Sequence, residues 1–462
     1  MTPGPADCYT AGFVPIGRSD QGGRPDAMQL QHYRGHIYVG HVFSGGFSVI
    51  DARDPRNLKP AGFHQAPPNT WNIHLQAADD LLLVVHARDL WAQFRQESDY
   101  YAGSVGTRLA GARRDWSAGV AIYDLTSPAQ PRQISFLPVA GVGVHRLWYP
   151  GGRWAYASVL PDGFSDYMFC VIDLADPQAP RWAGRWWLPG MNTAAGEQPS
   201  WDAGRWRYAL HHAIVDGDTA YASWRDGGLT LLDIADREHP QLISYRNWSP
   251  PYGGGTHTAL PLPARDLLIV ADEAVADGLA DGLKYTWVFN IAEPTDPISI
   301  ATFPTPAEAD YARKGGHFGP HNLHENRPGS FVSDTLIFAT YQNAGVRAVD
   351  ITDPYRPQEA GALVPPAPDR IIDPRPDRPK VVQTADVFAT ADGIVYATDY
   401  NAGLTVAEYT GTFHHHLFRT TAGSRPQKEI RHSRHQLLPV TIPTVRVVPP
   451  SVLWVGIRSA TR

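Results

Sequence analysis

The stretch from His211 to Pro240, HHAIVDGDTAYASWRDGGLTLLDIADREHP, decides the fold because near-copies of it recur along the chain. Its apolar segments are separated by an Asp-Gly-Asp turn and a Gly-Gly pair, and another apolar segment, Leu242–Ser244, follows the closing proline. Segments of this length bounded by turn residues predict four short strands. We expect Asp236 to fold the last turn, because an Asp side chain bonds its own backbone. The unit is therefore predicted to be an antiparallel meander.

The copies are clearest at the third predicted strand and the turn behind it. They are FSVIDARDP ending at Pro55, VAIYDLTSP ending at Pro128, FCVIDLADP ending at Pro177, LTLLDIADREHP ending at Pro240, WVFNIAEPTDP ending at Pro297, VRAVDITDP ending at Pro354 and LTVAEYTG ending at Gly411. A repeat of about 50 to 60 residues with four strands per unit is typical of a propeller, in which each blade buries its apolar face against its neighbours. The sequence predicts an all-β fold, a seven-bladed β-propeller of four-stranded antiparallel blades.

The two ends of the repeat region indicate how the ring closes. The last copy lacks a clear outer strand, whereas Ala11–Ile16 resembles an outer strand with no unit before it. Pairing the two would remove exposed sheet edges, so we predict that the N-terminal strand closes the propeller. We assign residues 1–411 to the propeller and expect 412–462, where the repeat stops, to be an irregular polar tail.

Three phrases, GGFSVIDARDP, GGLTLLDIADREHP and AGVRAVDITDP, resemble the LVIVD repeat. This is a β-propeller repeat whose core is roughly Gly-Leu-x-Val-Ile-Asp-Val-Ser-Asp-Pro. The resemblance covers roughly residues 10–410 and implies the fold. It implies no activity, because the LVIVD label carries no agreed function and a fold alone does not supply one.

Charge and composition exclude several classes of function. The net charge of -6 and the lack of a basic aromatic stripe argue against nucleic acid and against an anionic membrane surface as partners. Cys8 and Cys170 lie too far apart in the repeat order to build a disulfide framework. The N-terminus shows no signal peptide, so a cytoplasmic location is expected. The oligomeric state stays open.

Histidines recur near the start of the first predicted strand in five consecutive blades, where side chains converge on the axis. They are His74, His145, His211 with His212, His257, and His321 with His324. Imidazole is the commonest protein ligand for Zn, Fe, Cu and Mn. We predict a divalent first-row metal ion (Fe, Cu, Mn or Zn), bound by His145, His212, His257 and His321. Strand alternation leaves His211 and His212 interchangeable, since a slip of one residue exchanges them. The alternative for each histidine is a turn cap or a polar channel lining.

Further polar residues are candidates for acid/base work beside the ion. The carboxylates considered are Glu325, Asp272, Glu273, Asp386 and Asp399, of which Glu325 and Asp386 are selected as catalytic. His74 and His324 are selected with them, either as ligands or as acid/base groups. A carboxylate can orient a ligand histidine or take a proton from metal-bound water. The alternative for each carboxylate is a solvated turn residue.

Aromatic loops precede several of the histidine-bearing strands, and an aromatic insertion spans 90–119. Loops on a rigid scaffold are where binding is usually placed, so these aromatics are predicted to cover a small molecule. The predicted substrate-binding residues are Trp91, Tyr100, Trp201, Trp206, Tyr252 and Phe318. Packing between blades explains the same aromatics equally well.

The architecture of an axial histidine cluster is similar to that of two propeller families. These are the carotenoid cleavage oxygenases, which hold iron with four histidines from separate blades, and the selenium-binding proteins, associated with copper and thiol oxidation. We expect a metal-dependent enzyme acting on a small hydrophobic or aromatic compound, with oxidative chemistry favoured. The alternatives are a metal-dependent hydrolase or lyase at the same site and a non-enzymatic interaction scaffold. The sequence shows no nucleophile elbow, P-loop or dinucleotide fingerprint.

Overall fold

A computed structural model of the chain describes residues 8–93, 103–306 and 311–411. The strands up to residue 138 are β1 (Tyr9–Ala11), β2 (Phe13–Ser19), β3 (Ala27–Tyr33), β4 (His36–His41), β5 (Gly46–Asp51), β6 (Lys59–Gln65), β7 (Thr70–Trp71), β8 (Leu75–Ala78), β9 (Leu81–Arg88), β10 (Gly119–Asp124) and β11 (Arg132–Pro138). The middle strands are β12 (Gly141–Trp148), β13 (Trp154–Pro161), β14 (Met168–Asp173), β15 (Arg181–Trp186), β16 (Tyr208–Asp216), β17 (Thr219–Arg225), β18 (Leu229–Asp233), β19 (Gln241–Arg246), β20 (Thr256–Leu262), β21 (Leu267–Asp272), β22 (Thr286–Asn290) and β23 (Ile298–Thr302). The last strands are β24 (Leu336–Thr340), β25 (Val346–Asp350), β26 (Gln358–Val364), β27 (Thr384–Ala389), β28 (Ile394–Asp399) and β29 (Gly403–Tyr409).

Helices are few and short in these ranges. They are α1 (Leu90–Gln93), α2 (Val105–Leu109) and the single 3-10 turns Thr193–Ala195, Pro263–Arg265 and Ala312–Lys314. Nowhere in the described ranges is a helix long and apolar enough to cross a membrane.

Consecutive strands pair antiparallel into meanders such as β3-β4-β5-β6 and β12-β13-β14-β15. Neighbouring meanders touch where the second strand of one meets the first strand of the next, as at Arg225 opposite Thr256. The N-terminal strands join the last two meanders, because β1 pairs with β26 and β2 pairs with β29. Along the second of these pairs, Phe13 lies opposite Tyr409.

The turns explain why the repeat needs its small and acidic residues. A β-carbon on Gly228 would lie 2.2 Å from the Arg246 carbonyl oxygen, so glycine is required where the third strand starts beside the fourth. Gly345 occupies the equivalent position in its own meander. A β-carbon on Gly345 would lie 2.1 Å from the Leu363 carbonyl oxygen. Asp236 accepts a hydrogen bond from the Glu238 amide at 3.0 Å, which confirms the predicted turn.

The meanders pack face to face around an axis lined by their first strands. Strand β3 contacts β8 and β27, β12 contacts β8 and β16, and β16 contacts β20. Apolar residues from neighbouring sheets fill the space between them, as Phe47 and Val49 do against Leu82 and Val84. Burying each such side chain stabilises the fold by about 1.5–3 kcal/mol. The arrangement is a β-propeller, which confirms the all-β and propeller parts of the prediction.

Candidate metal centre

Four imidazoles form a continuous arc on the axis. They belong to His145 in β12, His211 in β16, His257 in β20 and His321 shortly before β24. Their ring centroids are 4.8 Å apart from His145 to His211, 3.6 Å from His211 to His257 and 4.5 Å from His257 to His321. All four are buried. Three first strands and the segment that pairs with β24 therefore bring one imidazole each to a shared place.

His212, which the sequence selected as a ligand with His211 as the alternative, has its ring in other contacts. Its Nε2 lies 3.1 Å from the Leu147 carbonyl oxygen, and its Nδ1 lies 3.3 Å from Arg146 Nη2. The pairing register of β16 with β17 shifts between Tyr208 and His212. A local irregularity of this kind re-aims side chains, and strict alternation along a sequence does not reveal it.

The carboxylate of Glu273, directly after β21, completes the group. Its Oε1 is 3.5 Å from His321 Nε2, and its Oε2 is 3.8 Å from His257 Nε2. Arg225 Nη1 donates a hydrogen bond to Oε2 at 2.9 Å. Although burial opposes its ionisation, Arg225 and its other neighbours hold the pKa of Glu273 below its ordinary value. The sequence placed Glu273 among five carboxylate candidates without selecting it, because nothing in the pattern showed that this strand end faces the histidines.

Three of these side chains are close enough together to be candidate ligands of one metal ion. Single ligand atoms of His211, His257 and Glu273 all lie within 4.8 Å of one another. In a tetrahedral site with bonds near 2.1 Å, ligand atoms are about 3.4 Å apart. The limit of 4.8 Å is wider than this spacing, so the three side chains would have to move closer together to bind one ion.

The hydrogen bonds of the imidazoles determine which nitrogen faces the group. His211 Nδ1 bonds the His257 carbonyl oxygen at 3.0 Å, and His321 Nδ1 bonds the Ala385 carbonyl oxygen at 2.5 Å. A carbonyl can only accept, so both Nδ1 atoms carry the hydrogen and both Nε2 atoms present a lone pair. Within the described ranges, His257 Nε2 and His145 Nδ1 have no hydrogen-bond partner.

Burial also sets the charge of these rings. It lowers the pKa of His145, His211 and His257 well below 6.5 and the pKa of His321 to about 4. The rings are therefore neutral at pH 7, which is the form that binds metal ions.

A glycine allows Glu273 to approach the first strand of its own meander. The Glu273 amide donates to the Gly255 carbonyl oxygen at 2.7 Å. Gly255 has a φ of +83°, and a β-carbon there would lie 2.6 Å from the Glu273 carbonyl oxygen. The Gly-rich turn before β20 thus holds His257 and Glu273 side by side.

A second polar group lies further along the axis and contains three of the predicted catalytic residues. His74, Glu325 and Asp386 line an axial cavity of about 20 Å³, together with Gln76 and Arg327. This volume suits about one water molecule. Burial raises the pKa of Asp386 to about 7. Arg146 connects the two groups, since its Nη1 donates to Asn322 beside His321 and its Nη2 is 3.6 Å from Glu325 Oε1.

His324, selected from the sequence as a ligand or acid/base group, bonds backbone through both ring nitrogens in this structure. Its Nε2 donates to the Phe331 carbonyl oxygen at 2.8 Å, and its Nδ1 accepts from the Ala389 amide at 3.2 Å. Both ring nitrogens are therefore engaged by backbone, and neither is available for an ion or a substrate proton.

The predicted substrate-binding aromatics are dispersed. Phe318 is fully buried and packs against Tyr341. Trp201 stacks on Tyr208, Arg205 lies over the ring of Trp206, and Tyr252 packs edge-on against Trp287. Tyr100 lies outside the described residues.

Trp91 differs, because it lines a cavity beside the histidine arc. The cavity measures about 30 Å³, and His317 and Tyr400 also line it. The Tyr400 ring is 6.5 Å from the His321 ring, and His317 Nε2 is 3.5 Å from Asp277 Oδ1. His317 was not selected from the sequence, although it stands in the loop directly before His321.

Comparisons with known proteins concern the fold alone. No protein-family model and no curated protein matches the chain. Among solved structures, the chain is similar to the computationally designed Ika8 protein, with a TM-score of 0.44 and 10% identity over 85% of this chain and 99% of that chain. It is also similar to the β-propeller domain of Myceliophteria thermophila Cps50 (Swd1), with a TM-score of 0.48 and 14% identity over 87% of this chain and 99% of that chain.

Proposed function

We propose that this propeller is a metal-dependent enzyme whose ion is bound on the axis by His211, His257 and Glu273. The observation that carries the proposal is the convergence of their ligand atoms within 4.8 Å in a buried setting. Burial keeps both imidazoles neutral, and the backbone hydrogen bond of His211 Nδ1 leaves the His211 Nε2 with a lone pair, which supports the proposal. His145 and His321 flank the three residues and are proposed as additional or exchangeable ligands.

Oxidative chemistry on iron is the favoured activity. Two histidines and one carboxylate with open coordination positions are typical of non-haem Fe(II) oxygenases. The proposed substrate is a small hydrophobic or aromatic compound, as the aromatic loops before the histidine-bearing strands predict.

A hydrolase or lyase using zinc is the second candidate, because two histidines and a glutamate also form catalytic zinc sites. The two candidates differ in the ion that restores activity and in oxygen consumption. Iron-dependent oxygen uptake with small aromatic compounds supports the first candidate. Zinc-dependent turnover without oxygen uptake supports the second.

We also infer that the propeller has seven blades and that β2 closes the ring, as the repeats predict. The antiparallel pairing of β2 with β29 supports this closure. Contact of β27 with β3, the first strands of the last and first meanders, supports it as well.

Metal content tests the central proposal. The full chain is purified, reconstituted separately with Fe(II), Mn(II), Cu(II) and Zn(II), and analysed for bound metal by mass spectrometry. We expect about one equivalent, lost in His257→Ala and Glu273→Gln and retained in His239→Ala, whose exposed ring serves as the matched control. Failure of the wild-type chain to retain any of these ions would reject the enzyme and favour the metal-free scaffold.

A further inference from the structure

Residues 365–383 connect β26 to β27 without forming a helix or a strand, and we call this segment the strap. Connections longer than about 12–15 residues without secondary structure are uncommon in a compact domain and are usually functional. Six residues of the strap are prolines, which fix φ and stiffen its backbone. A stiff segment loses little conformational freedom when it docks, so weak contacts are enough to hold it.

The strap reaches two meanders that are far apart in the ring. Arg378 Nη2 donates a hydrogen bond at 2.6 Å to Oδ2 of Asp277, which follows β21. The Arg375 guanidinium lies 3.9 Å from the ring centre of Trp91, which is in α1 after β9. Around the axis, the meanders of β12 and β16 separate these two points on one side, and the strap connects them on the other.

The strap covers the end of the histidine arc at His321. Asp373, Arg375 and Arg378 line the cavity of about 30 Å³ that Tyr400 also lines, and the Tyr400 ring is 6.5 Å from the His321 ring. The four imidazoles of the arc have exposed fractions of only 0–7%. On the opposite side, the second polar group fills the axis and leaves space for about one water molecule. An ion that enters from the side of His321 therefore has to displace the strap.

Few apolar side chains hold the strap in place. Within residues 369–383, all of which the structure describes, only Asp373 and Val382 are buried. Polar contacts supply other anchors, since Asn401 Oδ1 accepts from the amides of Ile372 and Asp373 at 2.9 and 3.1 Å. The ion pair of Arg378 with Asp277 is partly exposed, with side-chain exposures of 19% and 33%. Segments with few buried apolar contacts open locally at low free energy, without unfolding of the whole domain.

We infer that the strap is a lid that opens to admit the ion and the substrate, and that the pair of Arg378 with Asp277 is its latch. This inference rests on the proposed metal-dependent function. Neither latch residue belongs to the proposed ligand trio, so removing the latch changes how often the centre opens and leaves the ligands in place. The rates of metal binding and metal release then rise by the same factor, and the affinity stays unchanged.

The test uses the full chain and Co²⁺, whose visible absorption reports its ligands. Stopped flow measures the binding of free Co²⁺ and its release into excess EDTA in the wild type, Asp277→Asn and Arg378→Gln. We expect both rate constants to rise by about two- to fivefold in each variant, as loss of one partly exposed ion pair predicts, with unchanged affinity. Arg246→Gln, which removes an exposed ion pair with Asp296 away from the strap, should match the wild type in both rates.

Hydrogen exchange of the metal-free chain tests the strap itself. We expect the amides of Ile372 and Asp373 to exchange faster than those of the buried strand β21, and about two- to fivefold faster still in Asp277→Asn. Exchange of these two amides only together with β21 would show that the strap opens only when the protein unfolds, which would overturn the inference. If a variant fails to fold, this comparison in the wild-type chain still decides.

The kinetic outcomes separate the inference from the function on which it rests. Equal rates in the wild type and both latch variants would overturn the inference while leaving the metal centre intact. A lower Co²⁺ affinity in Asp277→Asn with an unchanged binding rate would also overturn it, because Asp277 would then act on the ligands. Absence of Co²⁺ binding to the wild-type chain would instead reject the proposed function, and hydrogen exchange would then decide whether the strap opens.

Discussion

The rings of His211 and His257 stack with their centroids 3.6 Å apart and their planes at 29°. His211 Nδ1 also donates to the His257 carbonyl oxygen at 3.0 Å. Two proposed ligands from neighbouring meanders thus orient each other through a ring contact and a backbone hydrogen bond. Partners of this kind fix the tautomer of a ligand histidine and strengthen it as a donor to the metal.

The adjacent histidines of β16 should differ sharply in their effect on metal binding. His211→Asn removes a proposed ligand, so we expect metal affinity to fall by about 100-fold or more. His212→Asn should leave affinity within a few-fold of wild type, because the His212 ring bonds the Leu147 carbonyl oxygen instead. Competition titrations with a chromogenic chelator measure both variants. The reverse order of effects would restore the ligand set predicted from the sequence.

The backbone at Gly255 should prove as important as the ligands. Gly255→Ala places a β-carbon 2.6 Å from the Glu273 carbonyl oxygen at a φ of +83°, so it should displace Glu273 and weaken metal binding. Gly217→Ala is the matched control, because Gly217 also has a positive φ but a β-carbon there would meet nothing within 4 Å. The control should lose about 1–2 kcal/mol in urea denaturation and keep its metal affinity. A Gly255→Ala protein that matches the control in both measurements would contradict the role of this turn.

The sequence predicted the strands and the axial histidines because both follow from periodicity. Turn residues at fixed offsets place each strand, and the position of a first strand places its histidine on the axis. Glu273 was not selected because it belongs to the end of a second strand. Its contact with His257 and His321 depends on the curvature of the sheet, which a one-dimensional pattern does not contain.

Other differences between sequence and structure have local causes. The sequence left His211 and His212 interchangeable, and the register of β16 shifts between Tyr208 and His212. Phe318 was expected to cover a small molecule because its loop leads directly to His321, and its side chain packs in a hydrophobic cluster with Tyr341. Aromatic composition alone does not separate loop packing from ligand binding.

Asp386 should make stability depend on pH between about 4 and 7. Burial raises its folded pKa to about 7 from an ordinary 3.8, so the folded chain holds a proton that the unfolded chain releases in this window. Stability therefore falls as pH rises through the window, by at most about 1.4 kcal/mol per pH unit from this group. Asp386→Asn removes the effect. Urea denaturation of both proteins at pH 5, 6, 7 and 8 should show the variant gaining relative stability as pH rises, and a constant difference would refute the assignment.

Ser48, His41 and Asp26 form a hydrogen-bonded chain that has the connectivity of a catalytic triad. His41 Nε2 is 2.8 Å from Ser48 Oγ, and His41 Nδ1 is 3.1 Å from Asp26 Oδ1. The exposed fractions of these side chains are only 0–2%, and Asp26 Oδ2 also accepts from the Phe43 and Ser44 amides at 2.6 Å. No substrate can reach a nucleophile buried in this way, so the network joins the start of β3 to β4 and β5.

We expect a fluorophosphonate probe to leave Ser48 of the folded protein unlabelled. Ser48→Ala should cost about 1–3 kcal/mol in urea denaturation, because it leaves a buried imidazole nitrogen unpaired, without changing metal content. Stoichiometric labelling of Ser48 in the folded chain would instead show that the site opens and that its triad geometry serves catalysis.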